Sequence, residues 1–284
     1  VQTIYRLDDL RAAVAASKTG EKTLALVPTM GALHEGHLTL VRRARELADA
    51  VAVSIFVNPR QFAPGEDFDA YPRRLETDAA LLAREGVDIL WAPAPDEVYP
   101  QGFATTVSVA GLDEPLCGAA RPGHFDGVAT VVCKLFNQVQ PDFALFGEKD
   151  WQQLAIIRRM ARDLDLALPR ADAIIGVPTV READGLALSS RNQYLTPAER
   201  SQAAALPRAI ETAIASLRAG GDADAALETL RTTLLRGGFA RVDYAELRDA
   251  ETLDLLDALG SRPARVLVAA HLGKARLIDN WPAN

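Results

Sequence analysis

Two near-continuous apolar runs with a helix-patterned stretch between them set the strongest limit on what this chain can fold into. Leu24-Ala25-Leu26-Val27 and Ala50-Val51-Ala52-Val53-Ser54-Ile55-Phe56-Val57 show almost no alternation of polar and apolar residues. A strand covered on both faces has that texture, and such strands belong to parallel sheets. Between the runs, within residues 38–49, Leu40, Val41, Ala44, Leu47 and Ala48 recur at helical spacing. Strand, helix and strand in about forty residues form a βαβ unit.

The alternation continues on both sides of this unit. Residues 8–17 read as a helix capped by Asp8 or Asp9. Helices are predicted at 75–86, 128–140 and 151–163, and strands at 87–91, 142–146 and 174–177. Residues 105–109 alternate like one further short strand. Alternation over roughly 180 residues predicts an α/β doubly wound parallel sheet. After Arg181-Glu182-Ala183-Asp184-Gly185 the texture changes to alanine- and leucine-rich helices at 197–218 and 222–236 and short strands at 242–247, 266–271 and 276–278. A second, smaller α+β domain is therefore expected, with domains at 1–182 and 183–284.

With 284 residues, 49% of them hydrophobic, the chain is long enough to bury a full core. A net charge of −7 weighs against a nucleic-acid binder, which needs basic surface. No apolar run approaches membrane-spanning length, and the start of the chain lacks the pattern of a signal peptide. Cys117 and Cys133 show no C-x-x-C spacing, so reduced thiols and a cytoplasmic location are expected.

The chemistry concentrates in Pro28-Thr29-Met30-Gly31-Ala32-Leu33-His34-Glu35-Gly36-His37, between the first strand run and its helix. His34 and His37 are three apart and share one face of a helical first turn. Gly31 and Gly36 let backbone approach a ligand closely. Backbone N–H groups and the positive end of the helix dipole make a natural phosphate cradle there. A surface loop with satisfied histidines is the alternative. H-x-x-H also occurs in metal sites, but no third ligand lies at a sensible spacing, so no protein-held metal is expected. H-x-G-H after a strand and opening a helix resembles the signature of nucleotidyltransferases related to class I aminoacyl-tRNA synthetases, in which the α-phosphate of a nucleoside triphosphate is attacked and pyrophosphate leaves.

Residues 28–37, Ser54-Ile55-Phe56-Val57-Asn58-Pro59-x-Gln61-Phe62, Phe146-Gly147-Glu148-Lys149-Asp150-x-Gln152-Gln153-Leu154 and Asp184-Gly185-Leu186-Ala187-Leu188-Ser189-Ser190-Arg191-Asn192 together resemble the pantothenate synthetase family. Arg121-Pro122-Gly123-His124-Phe125 and Leu277-Ile278-Asp279-Asn280 fit the same resemblance, which covers nearly the whole chain in order. It implies a Rossmann-like ATP- and pantoate-binding domain with a smaller C-terminal lid, assembled as a homodimer. It implies joining of pantoate to β-alanine with ATP as co-substrate, through an enzyme-bound pantoyl adenylate, with release of pyrophosphate and then AMP.

The resemblance also implies residue roles. His37 would donate a proton and His34 would meet phosphate, with Lys149 following the charge on the leaving group. Met30, Gly31, Gly36, Gly147, Val180 and Leu188 would line the nucleotide, and Asp150 would lie towards the ribose or simply cap the next helix. Ser189-Ser190-Arg191 would hold the outer phosphates, against the alternative of an ordinary serine-rich turn. Gln61 and Gln153 would grip pantoate, Gln61 also near β-alanine; neutral amides recognise a carboxylate without drawing charge from the attacking oxygen. Mg²⁺ would ride mainly on the ATP phosphates. Arg121 and His124 could cover the site or belong to an ordinary flexible loop.

Two stretches depart from the family pattern. Arg60 stands where an apolar residue is expected and could add local positive charge; residues 166–173 are a few longer than usual. The competing readings are an adenylyltransferase of the phosphopantetheine adenylyltransferase type, a nucleotide-binding module without turnover and, weakest for so acidic a chain, a tRNA synthetase fragment.

Overall fold

The apolar runs become central strands. A computed structural model describes residues 1–63, 65–66 and 68–284. The chain divides into two compact units: Val1–Glu148 with Gln153–Pro178, and Lys149–Gln152 with Thr179–Asn284.

The first unit runs β1 (Gln2–Ile4), α1 (Leu7–Ser17), β2 (Leu24–Thr29), α2 (Glu35–Leu47), β3 (Ala50–Ile55), α3 (Leu75–Arg84), β4 (Ile89–Trp91), α4 (Pro95–Val98), α5 (Cys117–Ala120), α6 (His124–Val139), β5 (Phe143–Gly147), α7 (Trp151–Asp163, its first two residues grouped with the second unit) and β6 (Ile174–Val177). Its sheet has the order β1-β4-β3-β2-β5-β6, and every paired strand is parallel. The doubly wound sheet predicted from the alternation is therefore present. Strand order reverses between β2 and β5, and open α/β sheets place their ligands beyond the carboxyl ends of the strands at such a point. Val27, Val41, Val53, Leu82 and Leu145 belong to one buried cluster in which β2, β3 and β5 meet α2 and α3. Fully buried Trp91 is tied to α6 by a 3.1 Å bond from its indole N–H to Gln138.

Three local expectations change and one holds. The first strand, β1, is only three residues long and pairs at the sheet edge with β4, too short to carry a pattern. Helix α1 starts at Leu7 rather than behind an aspartate cap; Glu97 of α4 accepts the Leu7 N–H at 2.8 Å, while Asp8 and Asp9 lie in the first turn. Residues 105–109 form no strand, because Val107 N–H donates to the Thr130 hydroxyl of α6 (2.9 Å) instead of to a neighbouring strand. Residues 166–173 remain a connection, ending in a short 3-10 turn at Ala171–Ala173 with Arg170 paired to Asp172 at its surface.

The second unit contains α8 (Pro197–Ala203), α9 (Ala205–Arg218), α10 (Ala223–Arg236) and an antiparallel sheet of β7 (Arg241–Asp249), β8 (Ala264–Leu272) and β9 (Ala275–Pro282), with β8 central. Leu206, Ile210, Leu230, Leu234, Val266, Val268 and Leu277 belong to its buried core. The single helix expected at 197–218 is broken at Ala204. Pro207 explains the break: it has no N–H to give, and its ring crowds the carbonyl four residues back, at Ala203. A capping box fixes the start of α8, where Thr196 N–H donates to Glu199 (2.8 Å) and Glu199 N–H donates to the Thr196 hydroxyl (3.3 Å).

Candidate active site

The predicted site residues fall into two groups, one in each unit. In the first, the loop after β2 turns through Gly31 at φ +85 and Ala32 at φ +51 before α2 begins. Gly31 is required there, since a side chain would be strained at that φ and would press on Asp78 and Ile55, each 3.1 Å from its Cβ. Asp78 of α3, 2% exposed, fixes the loop by accepting N–H bonds from Ala32 (2.8 Å) and Leu33 (3.0 Å). Replacing Asp78 with Ala would leave two such donors without their acceptor, at about 1–3 kcal/mol each. We expect a clearly lowered melting temperature, with Asp78→Asn, which keeps one acceptor oxygen, falling between it and wild type.

Helix α2 starts at Glu35, three residues earlier than predicted, so His34 is its N-cap and His37 lies in its first turn. The two side chains cap the helix reciprocally: Gly36 N–H donates to His34 Nδ1 (3.2 Å) and His34 N–H donates to His37 Nδ1 (3.3 Å). Their ring centroids are 4.1 Å apart. A ring nitrogen that accepts an N–H carries no proton, so a neutral histidine in this position is protonated on Nε2. The pair thus combines two imidazole donors with the positive end of a helix, an arrangement suited to oxyanions.

Gln61 ends a 3-10 turn, Pro59–Gln61, that follows β3. Its amide is oriented from both sides: Asn58 Nδ2 donates to Gln61 Oε1 (3.1 Å), and Gln61 Nε2 lies 3.0 Å from Met30 Sδ. Asn58, 1% exposed, also donates to Gly127 O (3.0 Å) and accepts from Tyr99 OH (2.8 Å). Burial pushes the Tyr99 hydroxyl up to about 12, so it remains a donor at neutral pH. Gly127 lets α6 lie directly against the turn, since a Cβ there would overlap the Arg60 carbonyl and come within 2.7 Å of Gln61 N. We expect Gly127→Ala to cost about 1–3 kcal/mol by overpacking. Chemical denaturation should show that loss.

The loop of Arg121 and His124 closes on the same turn. Arg121 makes a two-pronged pair with Glu66 (2.7 and 2.6 Å) and donates to Gln61 O (3.2 Å), to which His124 Nδ1 also donates (2.8 Å). Partial burial raises the Glu66 carboxyl, but the Arg121 guanidinium more than offsets this and holds it below the ordinary range. Arg60, a departure from the family pattern, packs against two aromatic rings. Its guanidinium lies 5.7 Å from the Tyr99 ring centroid and 5.5 Å from that of Phe103, and it donates to Thr106 (3.1 Å). Gly147 closes β5, and Gln153 is half-buried in the first turn of α7.

In the second unit, Lys149 and Asp150 complete a 3-10 turn, Glu148–Asp150, directly ahead of α7. Val180 and Leu188 face each other across a short hairpin, joined by Leu188 N–H to Val180 O (3.0 Å) and turned at Gly185, φ +90. Ser189 caps the 3-10 turn Ser190–Tyr194 by accepting Arg191 N–H (3.3 Å), and such a hydroxyl still has its proton to donate. Among the described residues, no group of three or more His, Cys, Asp or Glu could hold a metal ion, and no helix is long and apolar enough to cross a membrane.

Sequence reading passed over Asp78 and Asn58 as site residues. Asp78 did leave a signal, an acid at the same helical spacing as Leu75 and Leu82, on a face that should be apolar. Asn58 sits where the β3 run meets Pro59, but its bond to Gly127 spans 69 residues and no local pattern reports it.

A parallel α/β sheet with a donor-lined helix start at its order reversal defines an enzyme class that binds nucleotide phosphates and acts on them. The particular family follows from the whole chain: residues 2–282 match the model of pantoate-beta-alanine ligase, and the chain belongs to that family. It is 67% identical to a pantothenate synthetase of Novosphingobium aromaticivorans, over 99% of this chain and 98% of the relative. The crystal structure of pantothenate synthetase from Thermus thermophilus is similar with a TM-score of 0.92 at 48% identity, covering 100% of this chain and 99% of that one. The crystal structure of pantoate-beta-alanine ligase from Francisella tularensis, complexed with beta-gamma ATP and beta-alanine, gives 0.82 at 32% identity, over 99% and 97% of the two chains.

Proposed function

We propose that this chain condenses pantoate with β-alanine at the expense of ATP, through pantoyl adenylate. A pantoate carboxylate oxygen attacks the α-phosphorus and pyrophosphate departs with the electrons of the broken P–O bond. The β-alanine amine then attacks the acyl carbon; AMP leaves with the oxygen that came from pantoate, and the amine gives up a proton. The observation that carries this reading is the reciprocal capping of His34 and His37, which makes both rings Nε2–H donors at the helix start. Negative charge grows on phosphoryl oxygens during the first step, and fixed donors are what that step needs. The capping favours donation by both rings, including His37, over a fully protonated acid, because an imidazolium could not accept its cap.

Lys149 and Ser189-Ser190-Arg191 would neutralise the outer phosphates, Asp150 would meet the ribose, and Met30, Gly31, Gly36, Gly147, Val180 and Leu188 would line the nucleotide. Gln61, with its carbonyl taken by Asn58, would present N–H to the pantoate carboxylate, and Gln153 would hold its hydroxyl. The donor set is imidazole, ammonium, guanidinium, hydroxyl and amide, which suits phosphate oxygens rather than a bare cation. Mg²⁺ therefore fits as an ion carried by ATP, where it would screen phosphate charge.

In this reading residues 1–182 bind ATP and pantoate, residues 183–284 act as a lid, and the enzyme is a cytoplasmic homodimer. The homodimer and the cytoplasmic location rest on the family resemblance, the location also on two cysteines that form no disulfide. Incubation with ATP, pantoate and β-alanine should yield AMP and pyrophosphate. ADP and phosphate would refute the reading. Pyrophosphate release without β-alanine-dependent AMP would favour an adenylyltransferase that keeps the nucleotide on its product.

A further inference from the structure

Strand β9 carries two adjacent buried polar residues, Asp279 and Asn280, which are 2% and 3% exposed. Both lie in register on the central strand β8, opposite Val268 and Leu267, so their backbone positions are fixed by the sheet. Each reaches a segment that the sequence assigns to nucleotide binding. Asn280 Nδ2 donates to the backbone carbonyl of Lys149 (2.9 Å), and Asn280 Oδ1 accepts from Arg265 Nε (2.7 Å). Arg265 in turn lies 3.7 Å over the ring of Trp151, whose indole N–H donates to Ala250 O (2.8 Å). Asp279 makes a two-pronged pair with Arg181 (2.7 and 2.9 Å), and Arg181 also donates to Gly185 O (3.0 Å), inside the hairpin that carries Val180 and Leu188.

The Asn280 amide is used at both ends, with its oxygen on a guanidinium and its nitrogen on a carbonyl. Neither Asp nor an apolar residue can make both bonds. A buried polar pair arranged this way on a rigid strand does more than fill space: it fixes two loops to one frame. We propose that Asn280 is a positioning residue for Lys149. With Asp279 beside it, Asn280 sets the Lys149 turn and the Val180–Leu188 hairpin at a fixed distance, so that the ammonium and the hairpin meet one nucleotide together. The inference rests on the phosphate role proposed above for Lys149.

Asn280→Asp is the sharpest test. The new carboxylate keeps the oxygen that accepts from Arg265 but turns a second oxygen towards Lys149 O, so the Arg265 bond is retained, now to a charged acceptor, while the Lys149 contact becomes repulsive. Pantoate-dependent ATP–pyrophosphate exchange should fall by about 10- to 100-fold, as displacement of a reacting group by about an ångström does. The KM for β-alanine should stay near wild type, and exchange is read below the variant's own melting temperature, which a buried carboxylate beside Asp279 lowers. Asn280→Ser, measured below its own melting temperature, gives a second variant that lacks the added charge. Each variant is also combined with Lys149→Ala, where it should cause no further loss of exchange; losses that multiply would overturn the inference. Wild-type exchange in both Asn280 variants would overturn it alone. Wild-type exchange in Lys149→Ala would instead remove the role proposed for Lys149, and the inference with it.

Discussion

Substituting His37 with Ala should lower pantoate-dependent ATP–pyrophosphate exchange by about 10²–10³, roughly 3–4 kcal/mol of transition-state stabilisation. His34→Ala should fall in the same range, because each ring also caps the other's turn and loss of either disturbs both. The informative variant is His37→Gln. Its amide nitrogen can reach the place of imidazole Nε2 and still donate, whereas it cannot deliver a proton. Recovery of part of the lost rate, with Gln well above Ala, is the expected result for a donor. Equal inactivity of Gln and Ala would mean that His37 must transfer a proton.

Gln61→Glu should be nearly as damaging, but for binding rather than for the chemical step. Asn58 would accept the change, since its N–H can donate to a carboxylate as readily as to an amide. The remaining carboxylate oxygen would occupy the place of Nε2 beside Met30, where a pantoate carboxylate is proposed to lie. Like charges brought together cost several kcal/mol, so the KM for pantoate should rise by about 10²-fold or more. Gln61→Ala removes only a donor and should raise it about tenfold. ATP saturation should change little in either variant. Equal effects of Glu and Ala on pantoate KM would place the carboxylate elsewhere.

The parallel sheet could be read from the sequence because strands covered on both faces have no alternative composition, as at β2 and β3. Helix starts were less legible. At α2 the cap is histidine rather than Ser, Thr, Asp or Asn, so the expected start fell three residues late. The histidine–glycine motif pointed to phosphate chemistry from local spacing alone, yet the bonds that set each ring's tautomer become visible only once the turn is built. Bonds that join distant segments leave no periodic trace. Asp78 reaches the loop after β2 across 46 residues, and Asn280 reaches Lys149 across 131. Pro207 shows the intermediate case: the residue was in plain view, and its effect on Ala203 follows from ring geometry, but helical composition on both sides masked the break.

Transfer of isotope tests the central claim most directly. Pantoate labelled with ¹⁸O in both carboxylate oxygens, incubated with the enzyme, ATP and β-alanine, should yield AMP carrying one ¹⁸O and pantothenate keeping the other. That outcome requires the carboxylate oxygen to have bonded to the α-phosphorus. AMP free of label, with pantothenate formed, would contradict the acyl-adenylate route.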